Sequence, residues 1–158
     1  MNNSQKSFFE GKSALITGGS SGIGLALAKK MVEQGCHVAI LSRQEQLLQE
    51  AEKTLQRVKD NETTKISIIQ ADVTLRDELN QALDKHIAAN GIPDIVINSA
   101  GVAHPGTFTM LKPELFEWMM NVNYFGTVNV LKHLVPAFKA RRSGSIVNIS
   151  SIAGFLGI

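Results

Sequence analysis

At 158 residues the chain is long enough for one domain with a substantial core. With 44% apolar and 19% charged residues it is globular rather than disordered, and a net charge of +2 is too small to argue for a nucleic-acid partner. No apolar stretch reaches the roughly 18 residues that a membrane span needs. Residues 1–9 are polar and carry no apolar signal region. The one cysteine, Cys36, cannot form an internal disulfide, which suits a reducing, cytoplasmic setting.

The apolar run Ala14-Leu15-Ile16 predicts a first strand that stops at a glycine-dense turn. A helical pattern follows at once, with Ile23, Ala26, Leu27 and Met31 on one face. The glycine spacing is G-x-x-x-G-x-G, from Gly18, Gly22 and Gly24, with Ser20, Ser21 and Ile23 between them. Glycines here allow positive φ and close approach to a ligand. The helix start offers N–H groups and a positive dipole end, which suits a phosphate. A tight turn without a ligand would use the same glycines; their place between a strand and a helix favours the phosphate. Gly35 is expected to cap the helix, and Cys36, beside an apolar run, reads as a small buried residue rather than a nucleophile.

Residues 37–42 predict a second strand whose continuous apolar run, Val38 to Leu41, suits a parallel sheet covered on both faces. Residues 44–59 have helical period, with Leu47, Ala51, Leu55 and Val58 on one stripe, and residues 60–62 form a loop. Ile66, Ile68 and Ile69 make a third strand that leads to Asp72-Val73. Thr74 is placed to cap a helix with the stripe Leu75, Leu79, Ala82, Leu83 and Ile87; Asn90-Gly91 ends it and Pro93 prevents its restart.

Ile95-Val96-Ile97 is a short fourth strand that runs into Asn98-Ser99-Ala100-Gly101. A loop holding His104, Pro105 and Gly106 precedes a long helix, residues 113–140, with Pro113 in its first turn. That helix is apolar on most sides, so it is expected to be covered by its own sheet and by a partner; Pro136 is expected to kink or shorten it. The basic run Lys139, Arg141 and Arg142 falls at its C-terminus, where it complements the dipole. Ser143-Gly144 makes a turn, and residues 146–149 form a fifth strand that ends in Ser150-Ser151.

Strands alternating with helices imply an α/β fold: a doubly wound parallel sheet with right-handed crossovers and strand order 3-2-1-4-5, in a single domain over residues 1–158. The order reverses between strands 1 and 4, so a ligand belongs outside the carboxyl ends of those strands. The glycine turn, Ser42-Arg43, Asp72-Val73, residues 98–101 and Ser150-Ser151 all fall at strand ends on that edge. A dinucleotide site specific for the 2′-hydroxyl places an acidic residue at the end of strand 2. Here Ser42-Arg43 stands instead, which suits a 2′-phosphate paired with the guanidinium and hence NADP(H). The alternative is a solvated arginine opening the next helix. His37, His86, His104 and His133 lack metal-ligand spacing, so no metal is expected.

The segment Thr17-Gly18-Gly19-Ser20-Ser21-Gly22-Ile23-Gly24, Asp72-Val73, Asn98-Ser99-Ala100-Gly101, Asn123 within Val122-Asn123-Tyr124, and Ile149-Ser150-Ser151 resemble the short-chain dehydrogenases/reductases, in order, over nearly the whole chain. The resemblance implies a Rossmann fold and carbonyl–alcohol chemistry. It implies that the glycine loop (Gly18, Ser20, Ser21, Gly22, Ile23, Gly24) holds the pyrophosphate of the cofactor and that Asp72 and Val73 meet its adenine. Asn98, Ala100 and Gly101 would line its ribose. Asn123 would position a water of a proton relay, and Ser151 would hydrogen-bond the substrate carbonyl. Read bottom-up, Ser151 also suits a turn or N-cap serine, Asn123 a satisfied buried amide, and Asp72 a loop or cap residue before Thr74. Ser99 stands where the family usually has a second Asn. The segment Ser150-Ser151-Ile152-Ala153-Gly154-Phe155-Leu156-Gly157, with Leu41-Ser42-Arg43, is most similar to the 3-ketodihydrosphingosine reductases.

The family's Tyr-x-x-x-Lys pair follows its serine. The single tyrosine here is Tyr124, with Val128 four positions on, so this is not that pair. The sheet is therefore expected to be truncated after strand 5, and the chain not to reduce ketones alone. Three readings follow: the amino-terminal part of an NADP(H)-dependent reductase acting on a small ketone such as a 3-ketodihydrosphingosine-like lipid, homo-oligomeric at full length; a non-catalytic dinucleotide-binding or interaction module; or an unstable fragment with an open apolar edge at strand 5.

Overall fold

The computed structural model describes residues 7–59 and 61–152. Asp60 and residues 153–158, which hold part of the last predicted turn, lie outside the described residues. The elements in chain order are β1 (Ser13–Thr17), α1 (Gly22–Glu33), β2 (His37–Ser42), α2 (Glu45–Arg57), β3 (Ile66–Gln70), α3 (Arg76–Asn90), β4 (Ile95–Asn98), α4 (Pro113–Met120), a π turn (Asn121–Phe125), α5 (Gly126–Arg141) and β5 (Ser145–Asn148). The strands form one parallel sheet in the expected order, β3-β2-β1-β4-β5.

Because successive strand residues face opposite sides, the sheet has two cores. Ala14, Ile16, Val38, Ile40, Ile95 and Ile97 pack with Ala28, Met31 and Val32 of α1 and Leu48, Ala51 and Leu55 of α2. Leu15, Ala39, Leu41, Ile69 and Val96 pack with Leu79 and Leu83 of α3 and Val130, Leu134 and Phe138 of α5. The central strands are buried on both faces, as their unbroken apolar runs require.

Several helix faces differ from the sequence expectation by one position. On α1 the inward face is Gly24, Ala28, Met31 and Val32, while Ile23 is exposed. A Cβ on Gly24 would strike the carbonyl of Gly18, so the helix docks there backbone to backbone and Gly24 sets its rotation. On α2 Leu48, not Leu47, fills the core. Thr74 does not cap α3: its N–H and hydroxyl both donate to Asp72 Oδ1, at 2.8 and 2.7 Å, and α3 begins after an uncapped, exposed Leu75. Asp72 thus closes an Asx turn, the local role open to it in the sequence. Gly35 terminates α1 as expected, with φ +79 and the paired bonds Gly35 N–H to Val32 O and Cys36 N–H to Met31 O. Gly91 (φ +84) ends α3.

The long helix is a continuous helical run broken only in pitch. Met120 and Gly126, on either side of the π turn, keep right-handed helical dihedrals. Pro136 does not end it; α5 runs on to Arg141. One stripe of α5 (Gly126, Val130, Leu134, Phe138) is buried, while Met120, Tyr124, Phe125 and Val135 are exposed. All of β5 is exposed, Ile146 and Val147 included, and among the described residues it pairs with β4 alone. At the amino end of the sheet the Arg141 guanidinium donates to the carbonyls of Ile92, Pro93 and Ser143 and stacks on Phe138. Asp94 beside it accepts from the N–H and hydroxyl of Ser13, which clasps the start of β1 to the start of β4.

Candidate functional site

The carboxyl edge of the sheet is held together by the turns that leave it. Thr17, 1% exposed, ends β1, and its Oγ1 accepts the N–H groups of Ser99 and Ala100, both at 3.1 Å. The next residue, Gly18, has φ +65 and donates its N–H to the Leu41 carbonyl at 2.8 Å. A Cβ on Gly18 would lie 2.8 Å from the backbone of Ser99 and Ala100. One residue pair therefore ties the exit of β1 to those of β4 and β2.

The three glycines of the motif have different tasks. Gly18 and Gly24 are needed for close packing of backbone on backbone. Gly22 (φ +52) is needed for its dihedral only, because a Cβ there would meet no atom within 4 Å. Its side of the turn is open. Ser21 is the extended N-cap of α1, and its hydroxyl makes no capping bond. The first-turn N–H groups of α1, which an α-helix cannot satisfy internally, thus have no side-chain cap, and no acidic residue competes there for an anion.

A cavity of about 230 Å³ opens beside this turn. Of the residues predicted from sequence, Gly18, Ser20, Ser21, Ser42, Arg43, Asp72, Val73, Ala100 and Gly101 line it. Gly22, Ile23, Gly24, Asn98, Asn123 and Ser151 are not among its lining residues. Leu41, Gln44, Leu47, Ala71, Val102 and Val122, none of them expected at the site from sequence, complete its walls. Leu47 explains its one-position offset on α2: it faces the cleft, whereas Leu48 faces the core.

Arg43 Nη1 lies 3.5 Å from Asp72 Oδ2, with Arg43 about half exposed and Asp72 mostly covered. Burial alone would raise the Asp72 carboxyl. The two hydrogen bonds from Thr74 and the guanidinium of Arg43 outweigh it and hold the group below the usual carboxylate range. The cation at the end of β2 is thus half exposed and paired with a carboxylate across the mouth of the cleft.

Asn98 is 3% exposed and donates Nδ2 to Asn148 Oδ1 at 2.9 Å, bridging β4 and β5; its Oδ1 is the one buried side-chain polar atom without a partner among the described residues. Asn123 sits in the π turn. Its amide accepts from the Val102 N–H at 2.7 Å and donates to the Val102 carbonyl at 2.9 Å, so the side chain pairs with that loop as a strand would. Nearby, a Cβ on Gly126 would strike Val73, and Asn129 Nδ2 donates to the Val73 carbonyl at 2.9 Å. The helix is seated against the exits of β3 and β4 through these groups. Ser151 is exposed beyond β5. Cys36 lies away from the cleft; burial above all, and then Asp94, push its thiol up to about 12. No group of three potential metal ligands occurs among the described residues.

The geometry fits a dinucleotide: an open glycine backbone at an uncapped helix start, a cleft where the strand order reverses, and no carboxylate at the end of β2. Comparison with known proteins agrees. The family model for short chain dehydrogenase matches residues 12–158. An uncharacterized oxidoreductase of Staphylococcus epidermidis is 37% identical over 144 residues, covering 91% of this chain and 60% of that protein. The 3-ketodihydrosphingosine reductase of Bacteroides thetaiotaomicron is 36% identical over 145 residues, covering 91% and 48%. Among solved structures, L-sorbose reductase from Gluconobacter frateurii, complexed with NADPH and L-sorbose, superposes with a TM-score of 0.85 at 28% identity, covering 94% of this chain and 56% of its own. A 3-oxoacyl-[acyl-carrier protein] reductase from Brucella melitensis with bound NAD gives 0.85 at 28% identity and the same coverage. The chain spans about half the length of these relatives. By its motif order, its sheet and its match over residues 12–158, it belongs to the short-chain dehydrogenase family.

Proposed function

We propose that this chain forms the cofactor-binding portion of an NADP(H)-dependent ketone reductase. The observation that carries the reading is the cleft itself, where Arg43, not a carboxylate, follows the end of β2. The glycine turn and the first N–H groups of α1 hold the pyrophosphate, with Gly22 giving it room. Asp72 and Val73 would flank the adenine and Ala100 and Gly101 the ribose, with Asn98, buried and bonded to Asn148, steadying the sheet behind them. Arg43 takes the 2′-phosphate. A nicotinamide cofactor held there would supply the hydride that the carbonyl carbon takes up. Asn123 keeps the π turn against Val102 and positions a water, and Ser151 holds the substrate oxygen by a hydrogen bond. Proton delivery is assigned to no residue of this chain: Tyr124 stacks edge-on with Phe125 in the π turn.

The similarity to 3-ketodihydrosphingosine reductases supports a lipid-like ketone as substrate. The buried free thiol of Cys36 supports a reducing, cytoplasmic compartment. The exposed apolar side chains Met120, Phe125 and Val135 support self-association of the full-length protein through its long helix. Calorimetric titration of NADPH and NADH into the chain and into Arg43→Ala tests the core of this reading. A loss of about 10-fold or more for NADPH is expected, the scale of one charge-assisted contact, with little change for NADH. Equal losses for the two nucleotides would remove the assignment.

A further inference from the structure

The Arg43–Asp72 pair is unequal. Asp72 is fixed: its Oδ1 takes both Thr74 bonds, at 2.8 and 2.7 Å, which leaves Oδ2 to face Arg43. Arg43 lies between the end of β2 and the start of α2, half exposed on a long side chain, with its guanidinium drawn to that carboxylate. Both residues line the same cleft. A carboxylate anchored by Thr74 and facing a half-exposed guanidinium does two things. It draws the guanidinium toward the exit of β3, and it cancels part of the charge an incoming phosphate would meet.

We propose that Asp72 is a specificity-setting residue that restrains Arg43, so that the cleft discriminates less strongly between 2′-phosphorylated and unphosphorylated adenine nucleotides than Arg43 alone would make it. This rests on reading the cleft as a dinucleotide site. A 2′-phosphate must share Arg43 with a carboxylate that does not move, whereas a 2′-hydroxyl leaves the pair intact. Asp72→Asn keeps the oxygen that accepts from Thr74 and removes the charge facing Arg43. If the substitution also loosens the grip on adenine, both nucleotides weaken together, so the ratio of their affinities isolates the restraint.

The experiment measures 2′,5′-ADP and 5′-AMP affinities by calorimetry for the chain as it stands, Asp72→Asn, Arg43→Ala and the double variant. The expected result is an affinity ratio favouring 2′,5′-ADP that rises about two- to five-fold in Asp72→Asn, the range for a partly exposed ion pair, with the gain abolished when Arg43 is absent. An unchanged or lower ratio, or the same gain without Arg43, overturns the inference while leaving the cleft reading intact. Binding of neither nucleotide to the unaltered chain overturns both. Should Asp72→Asn not fold, carboxyl NMR decides: on binding 2′,5′-ADP the Asp72 titration moves up more in the unaltered chain than in Arg43→Ala if Arg43 is shared, and by the same amount in both if it is not.

Discussion

Replacing Gly18 and Gly22 separately by alanine should have very different effects, although both are motif glycines with positive φ (+65 and +52). Each variant places a β-carbon in the left-handed region, at about 1–2 kcal/mol. For Gly22 that is the whole cost, because no atom lies within 4 Å of the new methyl. For Gly18 the methyl would sit 2.8 Å from Ala100 N, Ala100 Cα and Ser99 O. These are backbone atoms already held by Thr17, so no rotamer change relieves the overlap, and a forced shift adds about 1–3 kcal/mol. Gly18→Ala should therefore be less stable than Gly22→Ala by about 1–3 kcal/mol. In urea unfolding that difference separates the midpoints by about 1 M for a slope of about 1–3 kcal/mol/M. Gly22→Ala should fold and yet bind NADPH poorly, because its methyl occupies the open side of the turn. Coincident midpoints, or a Gly22→Ala variant that binds NADPH normally, would refute the division of labour between the two glycines.

Thr17→Val strips the acceptor from two backbone N–H groups and should destabilise by about 2–3 kcal/mol, with Thr17→Ser retaining most of the stability, as read by thermal or urea unfolding. Arg141→Ala, which frees three backbone carbonyls at the amino end of the sheet, should lower stability by about 2–3 kcal/mol and leave nucleotide affinity unchanged, since it lies at the opposite end from the cleft. The Cys36 thiol keeps its proton to about pH 12 when folded but loses it near pH 9 when unfolded, so its contribution is intact below pH 9 and declines from there to about pH 12. Cys36→Ala should abolish that part of the alkaline decline in unfolding free energy, and thiol reagents at about pH 8 should label the folded chain far more slowly than the unfolded one.

The strands are legible in the sequence because their burial is two-sided: runs such as Val38 to Leu41 have one reading in a parallel sheet. The glycine turn is legible because few structures place three glycines between a strand and a helix. What the sequence does not reveal comes from groups distant along the chain. The rotation of α1 depends on Gly24 meeting the Gly18 carbonyl, so a periodicity count started at Ile23 places Met31 correctly and turns Ile23 inward where the structure has Gly24. Leu47 and Leu48 look alike until the cleft claims one and the core the other. Thr74 has the composition of a cap, but Asp72, two residues earlier, takes its donors. The Arg43–Asp72 pair joins the exits of two different strands, and no local pattern announces it.

The π turn at Asn121–Phe125 carries a consequence for how this protein tolerates insertions and deletions. A π turn holds about one residue more than an α turn, so loss of a single residue within it would restore regular α pitch and leave the downstream residues close to their present faces, whereas gain of one there, or loss of one elsewhere in the helix, would turn them by about 100°. In those last two cases Val130, Leu134 and Phe138 would leave the core together; loss of a residue from the π turn itself would instead take the Asn123 amide from its place opposite Val102. An exposed loop absorbs a one-codon change in either direction; this stretch should keep its fold on losing one residue, at the cost of the Asn123–Val102 pairing, and lose it on gaining one.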